Sequence, residues 1–291
     1  MRWLESENQF LKTNYLTMKN SELAQRLNRT KSAITHQLCK LGFKKYQKTG
    51  GQFPKKYSFN EHYFDHIDSE NKAYFLGFLY SDGYNNVERG IIELSLQEED
   101  RCVLEQLSNL LQNSKPLYFK DRKSKNQNHK NVYRLTLYSK YTSNRLKELG
   151  CGQCKTKTLD FPNYNQVPPH LMRHFLRGFW DGDGTIGFIK RKDTKNKTVS
   201  TRICGTYEFL YGLQLLLKEE IGVLLPICDT KHCDFLKIMY VTSKINTYNL
   251  LCYLYKDSTI YLPRKYQKFL DIRNFLESQT KYSIFKDNIN E

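Results

Sequence analysis

FLGFLYSDGY, Phe75 to Tyr84, and LRGFWDGDGT, Leu176 to Thr185, decide how this chain is read. Each is a short apolar helical segment with a glycine at its third position and an Asp-Gly at its end. The spacing is the same in both: Gly77, Asp82 and Gly83 in the first, Gly178, Asp183 and Gly184 in the second. The copies lie 101 residues apart, from Asp82 to Asp183, far enough for each to open its own compact unit. Duplication at that spacing predicts a pseudo-twofold protein that brings two carboxylates together on one axis.

The residue types explain why. Glycine inside a helix costs about 1 kcal/mol against alanine, and is tolerated where another backbone must come close. Gly77 and Gly178 therefore mark the predicted contact between the two motif helices. Gly83 and Gly184 suit the left-handed position that ends a helix. Asp82 and Asp183 then fall at helix C-termini, where the macrodipole disfavours an anion, and pairing two such ends adds repulsion. A hard divalent cation between them, shared with water and phosphate oxygens, would offset both. Asp-Gly as a mere turn explains either copy alone; it explains the matched pair poorly.

Around each motif the pattern repeats. After Gly83 come strand-like stretches at 84–87 and 91–96, a helix at 98–112, strands at 116–120 and 132–138, and a helix at 141–149. After Gly184 the order returns: strands at 185–191 and 198–205, a helix at 207–220, strands at 223–228 and 235–241, and a helix at 244–255. The expected class is α+β, a duplicated αββαββα fold. The halves are read as 70–160 and 161–272, followed by a C-terminal tail, 273–291.

Residues 1–46 read as a separate all-α module. NSELAQRL (Asn20 to Leu27) and TKSAITHQLCKLG (Thr30 to Gly42) place Leu23, Ala24 and Leu27, then Ile34, Leu38 and Leu41, at helical spacing around a short connection. Asn20 or Ser21 is the expected cap of the first helix, Thr30 that of the second, and Gly42 its stop. This is the pattern of a helix-turn-helix, and its second helix would present Arg29, Lys31, Ser32, Thr35 and His36 to DNA. A helical hairpin that merely packs is the plain alternative. QKTGGQFPKKYSFN, within the expected linker at 47–69, is Gly-, Pro- and Lys-rich without periodicity.

The 291 residues carry 46 Lys and Arg against 30 Asp and Glu, a formal charge of +16, which points to a polyanionic partner and to nucleic acid first. No apolar run approaches a membrane span, and MRWLESENQF lacks a signal-peptide core, so a cytoplasmic address is expected. Eight cysteines then read as reduced. Cys151 and Cys154 form a CxxC that Cys228, His232 and Cys233 could complete as a zinc site, yet no second CxxC or paired-His motif supports it.

The two segments resemble the LAGLIDADG motifs of homing endonucleases in their single-chain, two-repeat form, over about residues 70–272. FLRGFWDGDGTIG matches closely; FLGFLYSDGY carries Tyr80 where the sixth-position Asp stands, a place that Asp181 fills in the second copy. LGCGQCKTKTLDFP (Leu149 to Pro162) and IYLPRKYQKF (Ile260 to Phe269) share the likeness. The resemblance implies a monomeric, site-specific double-strand DNA endonuclease of the intron-homing kind. It implies metal binding at Asp82 and Asp183 with Gly83 and Gly184, by Mg²⁺ with Mn²⁺ as substitute, and a structural role for Asp181. By the same likeness Lys155 and Lys265 are catalytic basic residues, with Lys157 and Arg264 as close neighbours. The family's strands form saddles in the major groove, which would place there Lys120, Arg122, Lys123 and Arg134, and Lys190, Arg191, Lys192, Lys195, Lys197 and Arg202. Two rivals stand beside it: a DNA-binding regulator that has lost cleavage, and a maturase that binds intron RNA. Unequal cutting of the two strands is expected to fall on the first half, because of Tyr80.

Overall fold

The computed structural model describes residues 3–43, 56–124, 126–153, 155–190, 197–230 and 233–279. The chain divides into two units, Met1–Lys56 and Tyr57–Glu291.

Among its described residues the N-terminal unit has three helices, α1 (Glu5–Asn14), α2 (Asn20–Arg26) and α3 (Lys31–Lys40). Leu11, Leu23, Ala24, Ile34 and Leu38 form its core. The helix α1 has no counterpart in the sequence reading, since Leu11 is its single fully buried residue and leaves little periodicity. Thr30 caps α3 by accepting from Ala33 N at 3.2 Å, as expected, and Gly42 follows α3 at φ +76°. The start of α2 differs. Lys19 occupies the cap position without a side-chain capping bond, and Glu22 Oε2 accepts from Lys19 N at 2.9 Å, the reciprocal half of a capping box, so neither Asn20 nor Ser21 is the cap.

In the larger unit the first half contains α4 (Glu70–Asp82), β1 (Gly83–Asn86), β2 (Ile91–Gln97), α5 (Arg101–Leu110), β3 (Tyr118–Lys120), β4 (Val132–Tyr138) and α6 (Lys140–Glu148). The second contains α7 (Met172–Asp183), β5 (Thr185–Lys190), β6 (Lys197–Gly205), α8 (Tyr207–Ile221), β7 (Ile227–Asp229), β8 (Lys237–Val241) and α9 (Lys244–Tyr255). The two sheets have matching antiparallel orders, β1-β2-β4-β3 and β5-β6-β8-β7. The expected α+β duplication is therefore present.

The second half adds α10 (Pro263–Glu277), a stretch read from sequence as lying beyond the last helix. Pro263 at its first position is well suited to a helix start, while a proline between helical patterns reads equally as a stop. Residues 57–69, expected as linker, also belong to the fold. Tyr63, Phe64 and Ile67 are buried, and Asn60 N donates to Leu111 O at 2.7 Å. Among the described residues no helix is long and apolar enough to cross a membrane.

Both motif helices lie at the centre. Ala73 through Tyr80 are buried without interruption on α4, as are His174 through Asp181 on α7, so each is enclosed on all sides rather than along one stripe. The strands alternate instead. Ile92, Leu94 and Leu96 of β2 face the core, which leaves Glu93, Ser95 and Gln97 on the outer face. Register brings Tyr84, Thr136, Arg134 and Tyr118 to that same face, and Thr185, Arg202 and Tyr240 to its equivalent in the second sheet.

Candidate active site

The site forms where α4 and α7 cross and end together. A Cβ added at Gly77 would lie 1.9 Å from Phe175 O and 2.9 Å from Phe179 N. One added at Gly178 would lie 1.9 Å from Tyr74 O and 2.9 Å from Phe78 N. The two contacts are pseudo-symmetric images, helix backbone against helix backbone, as the glycines' spacing implied.

Gly83 and Gly184 are needed for a different reason from the one expected. Neither is left-handed: φ is −73° and −75° with extended ψ. Their constraint is steric. A Cβ at Gly83 would approach Leu79 O to 2.5 Å, and one at Gly184 would meet Trp180 O at 2.5 Å and Trp180 Cδ1 at 2.2 Å. The chain turns back so sharply from helix to strand that no side chain fits under the last turn.

Asp82 and Asp183 are accordingly the last helical residues of α4 and α7, side by side and reachable from solvent. Burial of their flanks at the junction raises both carboxyls. Asp82 is pushed up to about 6, by burial first and by the charge of Asp183 second, against the pull of Lys265, Lys155 and Arg264. A cavity of about 60 Å³ opens beside Asp183, lined also by Ser81, Lys155, Phe179, Cys204 and Thr206 among others.

Two lysines cap the paired ends. Lys155 Nζ donates to Ser81 O at 3.1 Å and to Gly83 O. Lys265 Nζ donates to Trp180 O (2.7 Å), Asp181 O (2.6 Å), Gly182 O (3.3 Å) and Gly184 O (2.6 Å). Ser81 O, Asp181 O and Gly182 O belong to the last turns of α4 and α7, where carbonyls lack an intrahelical partner, and an ammonium there also offsets the negative end of the dipole. Burial lowers Lys265 to about 8, against the opposing pull of Asp181, Asp82 and Asp183. The neighbours are engaged elsewhere: Lys157 lies over the Phe235 ring at 5.1 Å, and Arg264 pairs with buried Asp100 at 3.0 Å.

The sixth motif positions differ in chemistry, and their partners differ with them. Buried Asp181 accepts from Tyr74 OH across the helix crossing at 2.8 Å. In the other half, Tyr80 meets the position equivalent to Tyr74, which is Phe175, ring edge to ring face at 4.8 Å. A polar pair on one side of the pseudo-twofold is an aromatic pair on the other. Tyr80 points into the core and donates to Leu149 O, so its replacement of an aspartate leaves the carboxylate pair itself intact.

The two carboxylates are hard oxygen donors and suit a hard cation, whereas the carbonyls of Gly83 and Gly184, expected as further ligands, accept from Lys155 and Lys265. Among the described residues no group of three or more His, Cys, Asp and Glu side chains converges, so most of such a cation's shell would be water and substrate oxygen. The zinc alternative gains nothing. Cys151 is buried, with its thiol pushed up to about 11 and donating to Leu79 O, while Cys154 and His232 lie outside the described residues.

The expected DNA contacts divide. Lys31, Ser32, Thr35 and His36 are exposed on one side of α3. Arg29 is not with them. Its side chain is 13% exposed, and its guanidinium donates twice to Glu7 at 2.9 and 3.0 Å and lies 4.2 Å from the Trp3 ring centre. It fastens α1 to the α2–α3 turn, and the sequence reading missed this because α1 was missed. Lys120, Arg122, Lys123 and Arg202 are exposed at the sheets. Arg134 lies on the outer face, paired with Glu93 at 3.3 Å and donating to Ser95 Oγ at 3.0 Å. Lys190 and Lys197 end β5 and begin β6, while Arg191, Lys192 and Lys195 lie outside the described residues. Exposed Tyr84, Tyr138 and Tyr240 share the outer faces; period-2 alternation carried that signal, but only register shows which strands they join.

No family model matches the chain, and no curated protein matches it. Among solved structures it is similar to the LAGLIDADG meganuclease I-AabMI bound to uncleaved DNA, at 11% identity and TM-score 0.48, over 72% of this chain and 92% of that one. It is similar also to the LAGLIDADG homing endonuclease I-GzeII in complex with its DNA target, at 14% identity and TM-score 0.46, over 72% and 93%. A third is I-SmaMI bound to uncleaved DNA in the presence of calcium ions, at 14% identity and TM-score 0.48, over 72% and 92%.

Proposed function

We propose that this chain is a metal-dependent, site-specific endonuclease for double-stranded DNA that acts as a monomer. The observation that carries the reading is the pair of carboxylates, Asp82 and Asp183, brought together at two helix C-termini by reciprocal glycine contacts and capped by two lysines. Two anions are stable in that position when they face a cation.

Asp82 and Asp183 would hold Mg²⁺ or Mn²⁺ through their carboxylates, with water and phosphate oxygens completing its shell. Such an ion supplies activated water and neutralises charge at the scissile phosphate. Lys155 and Lys265 hold the helix ends in register and lower the cost of the paired negative charge. The sheets' outer faces, through Lys120, Arg122, Lys123, Arg134 and Arg202, would lie along the major groove and fix the phosphates and bases to either side. Lys31, Ser32, Thr35 and His36 on α3 of the N-terminal unit supply a further DNA contact, of helix-turn-helix type.

The test is to incubate the protein with DNA flanking its own gene, in Mg²⁺ or in EDTA, and to look for a defined cut. Asp82→Asn and Asp183→Asn should each reduce cutting by about 100-fold or more, with DNA affinity nearly unchanged, since a lost charge ligand costs several kcal/mol in the transition state. A fully active Asp183→Asn protein would overturn the mechanism. Tight, specific DNA binding with no cut in any divalent metal would favour a regulator, and preference for intron RNA a maturase.

A further inference from the structure

The two lysines that cap the carboxylate pair are held by different means. Lys265 belongs to the first turn of α10, and the residue just before that helix, Leu262, donates its N–H to Asp181 Oδ2 at 2.7 Å. Asp181 is 1% exposed, and Tyr255 OH and Tyr74 OH fix its two oxygens at 2.5 and 2.8 Å. Lys265 then reaches back to the carbonyl of Asp181 itself, so the end of α7 and the start of α10 are joined at two points. Its Nζ has four carbonyls around it and the residue is 4% exposed. Arg177 secures the connecting segment through Ile260 O at 2.8 Å and Glu70 Oε1 at 2.6 Å, and Glu70 in turn accepts from Thr259 N at 2.8 Å.

Lys155 is held differently: the stretch before it is fastened at Leu149 and Cys151, through Tyr80, Asn85 and Leu79 O, and among the described residues no hydrogen bond ties its own turn to a buried carboxylate. It starts a single short turn, Lys155–Lys157, is half-buried, and donates to two carbonyls. The place of Asp181 is taken by Tyr80, whose hydroxyl is directed to Leu149 O, six residues upstream of Lys155. Tyr80 OH is engaged as a donor to Leu149 O, whereas Asp181 accepts the N–H of Leu262 at the start of α10.

We propose that Asp181 is a positioning residue: by pinning the start of α10 it locks Lys265 beneath the Asp183 end of α7, while Lys155 at the Asp82 end remains adjustable. The two halves of the site are thereby unequal in rigidity, with Asp183 preorganised and Asp82 completed by substrate. This deepens the endonuclease reading and rests on it for its consequence: the strand served by the Asp183 half is cut first, and nicked DNA precedes the double-strand break.

Two measurements on the full chain test this separately. Amine labelling by reductive methylation in EDTA, read peptide by peptide by mass spectrometry, needs no cleavage. Lys265 should react at least about tenfold more slowly than Lys155, a difference of the size expected for hydrogen bonds to a charged group. Asp181→Ala should raise the Lys265 rate by about tenfold without changing Lys155, and Asp181→Asn, which keeps an acceptor for Leu262 N, should fall between. If Asp181→Ala does not fold, Tyr255→Phe removes one bond from Asp181 and should raise the Lys265 rate about two- to fivefold. Equal labelling of the two lysines, or an unchanged Lys265 rate in the folded variants, overturns the proposal. With the two strands labelled differently, Asp181→Asn should slow one strand selectively at unchanged DNA affinity; equal slowing of both, or of neither, overturns the consequence. A wild-type protein that cuts no DNA refutes the endonuclease reading and leaves the labelling result to decide the positioning role.

Discussion

Gly178→Ala is the sharpest perturbation this structure offers. The added methyl would lie 1.9 Å from Tyr74 O, 2.8 Å from Tyr74 C and 2.9 Å from Phe78 N. All three atoms belong to the α4 backbone, so no side chain can rotate aside. Ordinary contact is about 3.5 Å, and the helices must therefore separate by roughly 1.5 Å. Alanine recovers about 1 kcal/mol of helix propensity. Forcing apart a close-packed core costs typically 1–3 kcal/mol, and backbone crowding lies at or above the upper end of that range. A net loss of about 2–4 kcal/mol follows, which for a unit of this size lowers Tm by roughly 5–12 °C. Gly77→Ala, the mirror contact on Phe175 O, should cost a similar amount. The double variant should lose less than the sum by about 1 kcal/mol or more, because one separation relieves both clashes. Calorimetric melting of the four proteins gives each value. A Gly178→Ala protein that melts within about a degree of wild type, or strictly additive losses, would refute the backbone-contact reasoning.

Two further outcomes are expected. In EDTA, the raised carboxyl of Asp82 makes the folded state bind a proton that the unfolded state has already released between the ordinary carboxylate range and about pH 6. Stability should therefore fall as pH rises through that window, and Asp82→Asn should be increasingly more stable than wild type up to about pH 6; a constant difference between the two melting curves would contradict this. In the N-terminal unit, Arg29→Ala should lower stability by about 1–2 kcal/mol through the lost Glu7 pair and Trp3 contact, while His36→Ala should leave stability unchanged and weaken DNA binding. Denaturant unfolding with a salt-dependent binding titration separates the two; weakened binding by Arg29→Ala at unchanged stability would restore Arg29 to the DNA surface.

The amino-acid sequence by itself determined the duplication, the α+β class, the pairing of Asp82 with Asp183 and the use of Gly77 and Gly178 as a close contact. All of these depend on spacing within one helix or on one motif repeated. It also singled out Lys155 and Lys265, through motif likeness rather than through any local pattern. Only the tertiary structure decided the rest. Gly83 and Gly184 are glycines because Leu79 and Trp180 leave no space, although local preference pointed to a left-handed cap. Arg29 is a strut because α1, weakly periodic, folds back onto the turn. The exchange of an Asp181–Tyr74 hydrogen bond for a Tyr80–Phe175 ring contact joins residues about a hundred positions apart. Propensity and periodicity act over a few residues, whereas these contacts exist only once two helices cross, and a single chain read in order contains no trace of which side chains will meet there.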